Sequence, residues 1–348
     1  MLPCGTYAEE YRQDKAIVRT RLQWILLISF IVLIFIFPVF LGRQWLGWIS
    51  IMSIILIAVV GLQITTGYAG QINMGQTAFW GMGSFATAAL AVHFGLPFWL
   101  TIPAGGIAAA IFGGIIGLPA VRIKGFYLAL VTLAAQFILT FVAVRIPGFG
   151  GAGGLKVPAA NIAGFEFTTP ASKYYLCVTT AVIMIFLAYG LVRSRTGRAF
   201  VAIRDNENAA EIMGINLLQY KTISFLIGTF YAGIAGGLWA YYMRYVIVDQ
   251  FTLFNSIWYL GMILVGGMGS ILGALLGTTL LFGIDRLVTS TAPILAQNFP
   301  WIGGQVWFGG TYLIMGLVIM LFLVFEPRGL AHRWNILKTQ YRLWPFPY

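Results

Sequence analysis

Charged side chains are scarce in this chain of 348 residues: Asp, Glu, Lys and Arg make up 9% of it. Soluble domains carry about 25%, so an ordinary soluble globular fold is excluded. Cysteine is nearly absent. Cys4 stands in a polar tail and Cys177 in an apolar run, which excludes a disulfide framework and a cysteine-based metal site. Histidine is just as rare. His93 and His332 fall in different compartments on the topology below and cannot share a metal ion. The Gly-x-x-x-x-Gly-Lys-Ser/Thr pattern that cradles nucleotide phosphates does not occur, so any ATP-derived energy has to come from another polypeptide. No catalytic dyad is visible, which argues against an intramembrane enzyme, and no cofactor is called for. The polar N-terminus lacks a small-residue cleavage pattern, so the first apolar run is expected to remain as an anchor.

Apolar residues are what the chain has, at 59%. No Asp, Glu, Lys or Arg occurs in 22–42, 44–121, 125–144, 174–192, 222–243, 250–284 or 287–325. A membrane-crossing helix needs about 20 mainly apolar residues, and in lipid a helix satisfies its own backbone. The alternation of an outer-membrane barrel is absent. The expected fold is therefore an all-α integral membrane protein of about ten transmembrane helices or part-helices. They are placed at 22–41, 45–64, 76–94, 98–118, 126–144, 174–192, 222–243, 251–265, 268–284 and 306–325. The eighth is short enough to be re-entrant. No ionisable residue is expected within a span, which argues against a proton- or sodium-driven carrier. The chain divides into an N-terminal tail (1–21), a transmembrane domain (22–325) and a C-terminal tail (326–348).

The net charge of +11 sorts by loop rather than forming a nucleic-acid surface. With the N-terminal tail inside, the inside segments hold most of the 21 basic residues. Arg43, Arg145, Lys156, Lys173, Arg244 and Arg286 lie outside. The positive-inside rule favours this orientation, with both termini cytoplasmic.

Glycine interrupts the apolar pattern twice, at 65–84 (TTGYAGQINMGQTAFWGMGS) and at 265–277 (VGGMGSILGALLG). These are candidate matching breaks of two related halves. In the first, Tyr68, Gln71, Asn73 and Gln76 put polar groups in a stretch otherwise fit for lipid, where unsatisfied amides are costly. They line a pathway or clamp a broken helix. Gly266 and Gly267 mark the second break. Gly105, Gly106, Gly113, Gly114, Gly117, Gly233, Gly236 and Gly237 are expected to let helices pack closely. The outside loop 145–173 is too glycine-rich for a long helix. Trp45, Trp48, Trp99, Trp258 and Trp301 read as an interfacial belt.

The one strongly charged internal segment is 193–221, RSRTGRAFVAIRDNENAAEIMGINLLQYK, expected in the cytoplasm. Its middle reads as a short amphipathic helix. Either it docks on a soluble partner, with Ala209, Ala210 and Gly214 allowing close approach, or it is a solvated connector resting on lipid headgroups.

The segments GYAGQINMGQTAFWGMGSF, RIKGFYLALVTLA, GGAGGLKVP, SRTGRAFVAIRDNENAAEIMGIN, VGGMGSILGALLG and FEPRGL, in this order, resemble the LivM-type permeases of branched-chain amino acid ABC importers. Within them, Asn208-Ala209-Ala210 and Gly214 are similar to the Glu-Ala-Ala-x-x-x-Gly loop of importer permeases, with Asn in place of Glu. The resemblance runs from about residue 61 to 330. It implies the membrane domain of a type II ABC importer in a bacterial inner membrane. It implies as partners a LivH-type second permease, two ABC ATPase subunits and a periplasmic substrate-binding protein, besides membrane lipid. By position, Arg198, Arg204, Asp205, Glu207, Ala209, Ala210 and Gly214 would form the ATPase-coupling element. Tyr68, Gln71, Asn73, Gln76, Gly266 and Gly267 would lie near the translocation path, which would work by alternating access. Substrates in the resembled family extend to urea, short amides and other small carboxylates or aromatic acids. A stand-alone channel or facilitator is the reading from another class.

Overall fold

The computed structural model describes residues 21–40, 42–121, 126–162, 165–298 and 304–343. Each expected span corresponds to a helix: α1 (Arg21–Ile36), α2 (Arg43–Leu62), α3 (Gln76–His93), α4 (Phe98–Val121), α5 (Phe126–Arg145), α6 (Pro170–Arg193), α9 (Leu217–Met243), α10 (Leu253–Gly266), α11 (Ile271–Asn298) and α12 (Gly304–Phe325). Between α6 and α9 come α7 (Arg195–Asp205) and α8 (Glu207–Ile212), and α13 (Leu330–Leu343) follows α12. Among the described residues, seven helices are long and apolar enough to cross a membrane. An eighth crossing arises if α12 and α13, bent by 48° at their break, count as one span. Residues 1–20 of the expected N-terminal tail, the basic pair Arg122 and Lys124, Trp301 and the last residues of the C-terminal tail lie outside the described residues.

Helix α9 sits at the centre, packed against α2, α3 and α4. Its glycines make this possible. A Cβ at Gly83 of α3 would lie 2.4 Å from Gly233 Cα, and one at Gly228 would lie 2.8 Å from Gly61 O of α2. Gly113 and Gly117 of α4 receive Thr229 and Phe225. Without a hydrophobic drive between helices in lipid, such backbone approach is the main source of association. The expected small-residue packing is therefore where the core forms.

These contacts also fix direction. Gly61 meets Gly228, whereas Tyr242 Oη donates to Gly47 O at 3.3 Å, so α2 and α9 are antiparallel. One end of the molecule carries Arg43, Lys173 and Arg244. At the same end, the loop between α5 and α6 forms a ribbon with the α9 exit, β1 (Leu155–Lys156) pairing antiparallel with β4 (Tyr245–Val246). Beside it lies the small hairpin of β2 (Asn161–Ile162) and β3 (Phe165–Glu166). The other end carries Tyr68, Arg204, Lys221 and helices α7 and α8.

The sequence reading needs correction where it kept ionisable residues out of the spans. Lys221 lies inside α9 and is 7% exposed. Lys173 belongs to α6, and Asp285 and Arg286 lie within α11, 14 and 15 residues past its start. Arg286 is thus a helix residue and not part of an outside loop. The charged pair ends an apolar run without ending the helix, which explains the early boundary at 284. The charged segment 193–221 also holds two short helices instead of one.

Candidate functional site

The first break starts as a π-helical turn, Gln63–Tyr68, at the end of α2. The chain then crosses 69–75 without regular structure, and α3 starts at Gln76. Gln76 Nε2 donates to Ala58 O at 2.9 Å and contacts Gly228 O, seven residues along α9 from Lys221. At 1.5 Å per residue, α3 therefore begins roughly 10 Å inside the bundle.

An irregular backbone at that depth must find partners within the protein. Asn73 Oδ1 accepts the Gly75 N–H at 2.9 Å, and Asn73 Nδ2 donates to Gln76 Oε1 at 2.9 Å. Thr66 Oγ1 donates to Gln71 O at 2.9 Å, and the Met74 N–H donates to Thr132 Oγ1 at 3.0 Å. Tyr68, Gln71, Asn73 and Gln76 are all buried. These contacts hold the broken helix together at that depth.

The second break follows α10, and a residue absent from the sequence reading joins it to the first. Gln63 Nε2 donates to Gly267 O at 3.0 Å and to Ser270 O at 2.9 Å. Gly267 has φ +111, a backbone that side-chain-bearing residues rarely adopt. Gly266 packs directly on Gly273 of α11. The two breaks thus meet at the end near α7 and α8. The starts of α3 and α10 meet deeper in, where the Thr77 N–H donates to Ser256 Oγ at 3.0 Å and Thr77 Oγ1 donates to Thr252 O at 3.0 Å.

The charged segment connects to both breaks. Each of its helices begins at a polar cap: Ser194 accepts from the Gly197 N–H, Asn206 from Ala209 and Asn216 from Gln219. Arg204, at the end of α7, donates from Nη1 to Gly67 O at 3.0 Å and pairs with Asp205 at 3.0 Å. A Cβ at Gly269 would lie 2.3 Å from Arg204 Nη1, so the guanidinium is wedged between the breaks. Lys221 Nζ pairs with Glu207 at 2.6 Å, while its carbonyl accepts from Gln71 Nε2 at 3.0 Å. One chain of contacts runs from the start of α8 through α9 to the first break.

Other expected coupling residues sit differently. Arg198 is exposed, with Nη1 3.3 Å from Arg193 O. Ala209 is exposed but Ala210 is 2% exposed and faces inward. Gly214 has φ +83, and the Ile215 N–H donates to Ala210 O, the six-to-one bond of a Schellman turn. A Cβ there would meet nothing within 4 Å, so its backbone angle, not crowding, accounts for the glycine. The apolar tip is Ile212 and Met213, 86% and 81% exposed; of the two, Ile212 is not singled out by the sequence reading.

A cavity of about 250 Å³ opens between α2, α3, α9, α10, α11 and α12. Trp80, Phe254, Trp258, Tyr259 and Tyr312 supply aromatic wall, and Asp285 and Arg286 supply charge. Thr77, the residue after Gln76, reaches it, whereas none of the six expected path residues does. Gly267 instead borders a second hollow with Met268, Arg328 and His332. Trp258, expected at the membrane interface, is a cavity wall. Among the described residues no group of His, Cys, Asp and Glu could hold a metal ion.

Comparison with known proteins agrees with this architecture. The model of the family described as branched-chain amino acid transport system/permease component matches residues 44–324. The high-affinity branched-chain amino acid transport system permease protein LivM of Escherichia coli (strain K12) is 26% identical over 333 residues, covering 88% of this chain and 75% of the relative. A probable branched-chain amino acid transport permease protein LivH of Methanocaldococcus jannaschii is 26% identical, covering 80% of this chain and 87% of the relative. The autoinducer 2 import system permease protein LsrC of Shigella flexneri is 28% identical over 43% of this chain and 41% of its own length. No solved structure matches. With its family model covering most of the helical bundle, the chain belongs to the branched-chain amino acid transport system/permease component family.

Proposed function

We propose that this chain is the membrane-spanning permease subunit of an ATP-driven ABC importer for branched-chain amino acids, seated in a bacterial inner membrane with both termini cytoplasmic. It performs no covalent chemistry. Its partners are a LivH-type second permease, two ABC ATPase subunits and a periplasmic substrate-binding protein. Helices α7 and α8 are the ATPase-coupling element, and the two breaks are where the path opens and closes by alternating access.

The observation that carries this reading is the Arg204 wedge. A soluble connector has no need to reach 137 residues back to a carbonyl of a broken membrane helix. A part that transmits movement does. Pulling on α7 would act on Gly67 and Gly269 together, and pulling on α8 would act on Gln71 through the Glu207–Lys221 pair. The exposed Ile212 and Met213 offer an apolar knob to a groove on the motor.

Affinity purification of the solubilised complex through this chain, followed by reconstitution, tests it. The expected result is co-purification of ATPase subunits and a second permease, and leucine uptake that requires both ATP and the binding protein. Recovery of the chain alone, with solute flux that ignores ATP, would move the assignment to a channel.

A further inference from the structure

We propose that the aromatic cavity beside Asp285 and Arg286 is a binding site for a small zwitterion, an α-amino acid with an apolar side chain. This rests on the permease reading and assigns that solute a place within this chain. An ionisable residue inside a membrane span is costly and marks a solute or ion pathway by default. Here two lie side by side in the span 271–291, both lining one cavity.

They neutralise each other only loosely. Arg286 Nε stands 3.7 Å from Asp285 Oδ2, too far for a hydrogen bond, and has no acceptor among the described residues. The Arg286 guanidinium is held over the Phe282 ring at 4.7 Å, which positions it without using up its donors. Trp80, another wall residue and 4% exposed, has an indole N–H without an acceptor. Buried donors left unpaired are unusual, and they call for something that accepts.

A carboxylate answers to Arg286 and an ammonium to Asp285. The rings of Phe254, Trp258 and Tyr312 are left for an aliphatic side chain. Pockets for drug-sized ligands measure about 300–1,000 Å³, and the smaller cavity here, about 250 Å³, suits a solute of amino-acid size. Beneath it the Thr77–Thr252–Ser256 cluster forms a bonded floor between cavity and breaks. A solute held there would rest above a closed gate.

The test uses Asn255→Cys, a wall position, in a Cys4→Ser background. The native Cys177 is 1% exposed and contributes no labelling. The protein is the assembled complex in membrane vesicles washed free of soluble proteins. A polar maleimide labels the introduced thiol in the presence of L-leucine, leucinamide (no carboxylate) or 4-methylpentanoate (no ammonium). Leucine is expected to protect at concentrations about tenfold or more below either analogue, since each analogue leaves one charged group unpaired. Asp285→Asn should abolish the preference for leucine over 4-methylpentanoate while keeping that over leucinamide, and Arg286→Gln should do the reverse. Equal protection by all three probes in the parent protein, a result that needs no charge variant to fold, overturns the assignment. So does preference unchanged in both variants. Leucine uptake by the same complex with its binding protein separates the two readings. Uptake without protection removes the cavity site alone, whereas a complex that imports no amino acid removes the permease reading with it.

Discussion

At the scale of single residues, the bundle depends on amides that replace missing backbone partners. Gln63 illustrates the energetics. An interhelical hydrogen bond in a membrane protein contributes about 0.6 kcal/mol on average, because the separated helices find other partners. A buried acceptor left with none costs about 1–3 kcal/mol. Ser270 O also accepts the Ala274 N–H, so losing the glutamine leaves it satisfied. Gly267 O has no such second donor among the described bonds and would be left unpaired. Gln63 Oε1 is itself a buried acceptor without a partner among the described residues, so Gln63→Leu exchanges one orphaned oxygen for another and is expected to destabilise the fold by the bond energy alone, roughly 0.6 kcal/mol. Thermal melts of the detergent-solubilised protein would read this as a lowered midpoint, and an unchanged midpoint would mean the junction of the breaks is held by other contacts. The importance of Gln63 was hard to read in sequence because it lies only five residues before Tyr68, at the end of an apolar run. Gln71, Asn73 and Gln76 stood out because they cluster between glycines. What sequence could not give was whether such amides face a path or each other. That depends on where α3 starts, which is set by packing on α9.

At the scale of elements, the proposed coupling role gives α7 and α8 two separable jobs. Ile212 and Met213 point away from the protein, while Arg204 reaches into it. Replacing the first pair with serine is expected to leave the melting midpoint unchanged, since side chains 86% and 81% exposed bury little on folding. It should weaken recovery of the ATPase subunits. Arg204→Ala is expected to do the opposite, with normal recovery of ATPase subunits and uptake reduced about tenfold or more as a charge-assisted bond to Gly67 is lost. ATPase recovery and uptake, measured on both variants, decide it. If both measures fall together in each, the segment is a single docking surface without a transmitting part. The spans themselves were legible because charge-free runs are a direct consequence of the cost of charge in lipid. The same rule misplaced the end of α11, where Asp285 and Arg286 line a cavity instead of facing lipid. The caps Ser194, Asn206 and Asn216 and the terminator Gly214 were readable signals for two helices in 193–221, and the motif resemblance drew attention to the alanines instead.

At the scale of the whole molecule, orientation decides what each end does. Lys156 and Met213 are separated in sequence by one crossing helix, α6, and the packing puts them at opposite ends. Lys156 pairs in register with Tyr245 beyond the exit of α9, and Met213 precedes α9's entry. Basic residues concentrate on the Met213 side in the segment 193–221, and the proposed orientation, following the positive-inside rule, puts that side in the cytoplasm. Both side chains are exposed, and the buried Cys177 gives no background once Cys4 is replaced by serine. A membrane-impermeant maleimide is therefore expected to label Lys156→Cys in intact spheroplasts and Met213→Cys only in inside-out vesicles. The inverse pattern would put α7 and α8 out of reach of any cytoplasmic motor and remove the coupling assignment at once. Labelling as expected sets the Asp285–Arg286 cavity in its working order. The cavity reaches Ile51, eight residues into α2 from the Arg43 end, so it lies nearer that end. The bonded floor at Thr77 comes next, then the Gln63 junction, then the Arg204 wedge at the end that carries α7 and α8. Solute entering from outside would meet the charged aromatic cavity before the gate, and the motor would act on the gate from below.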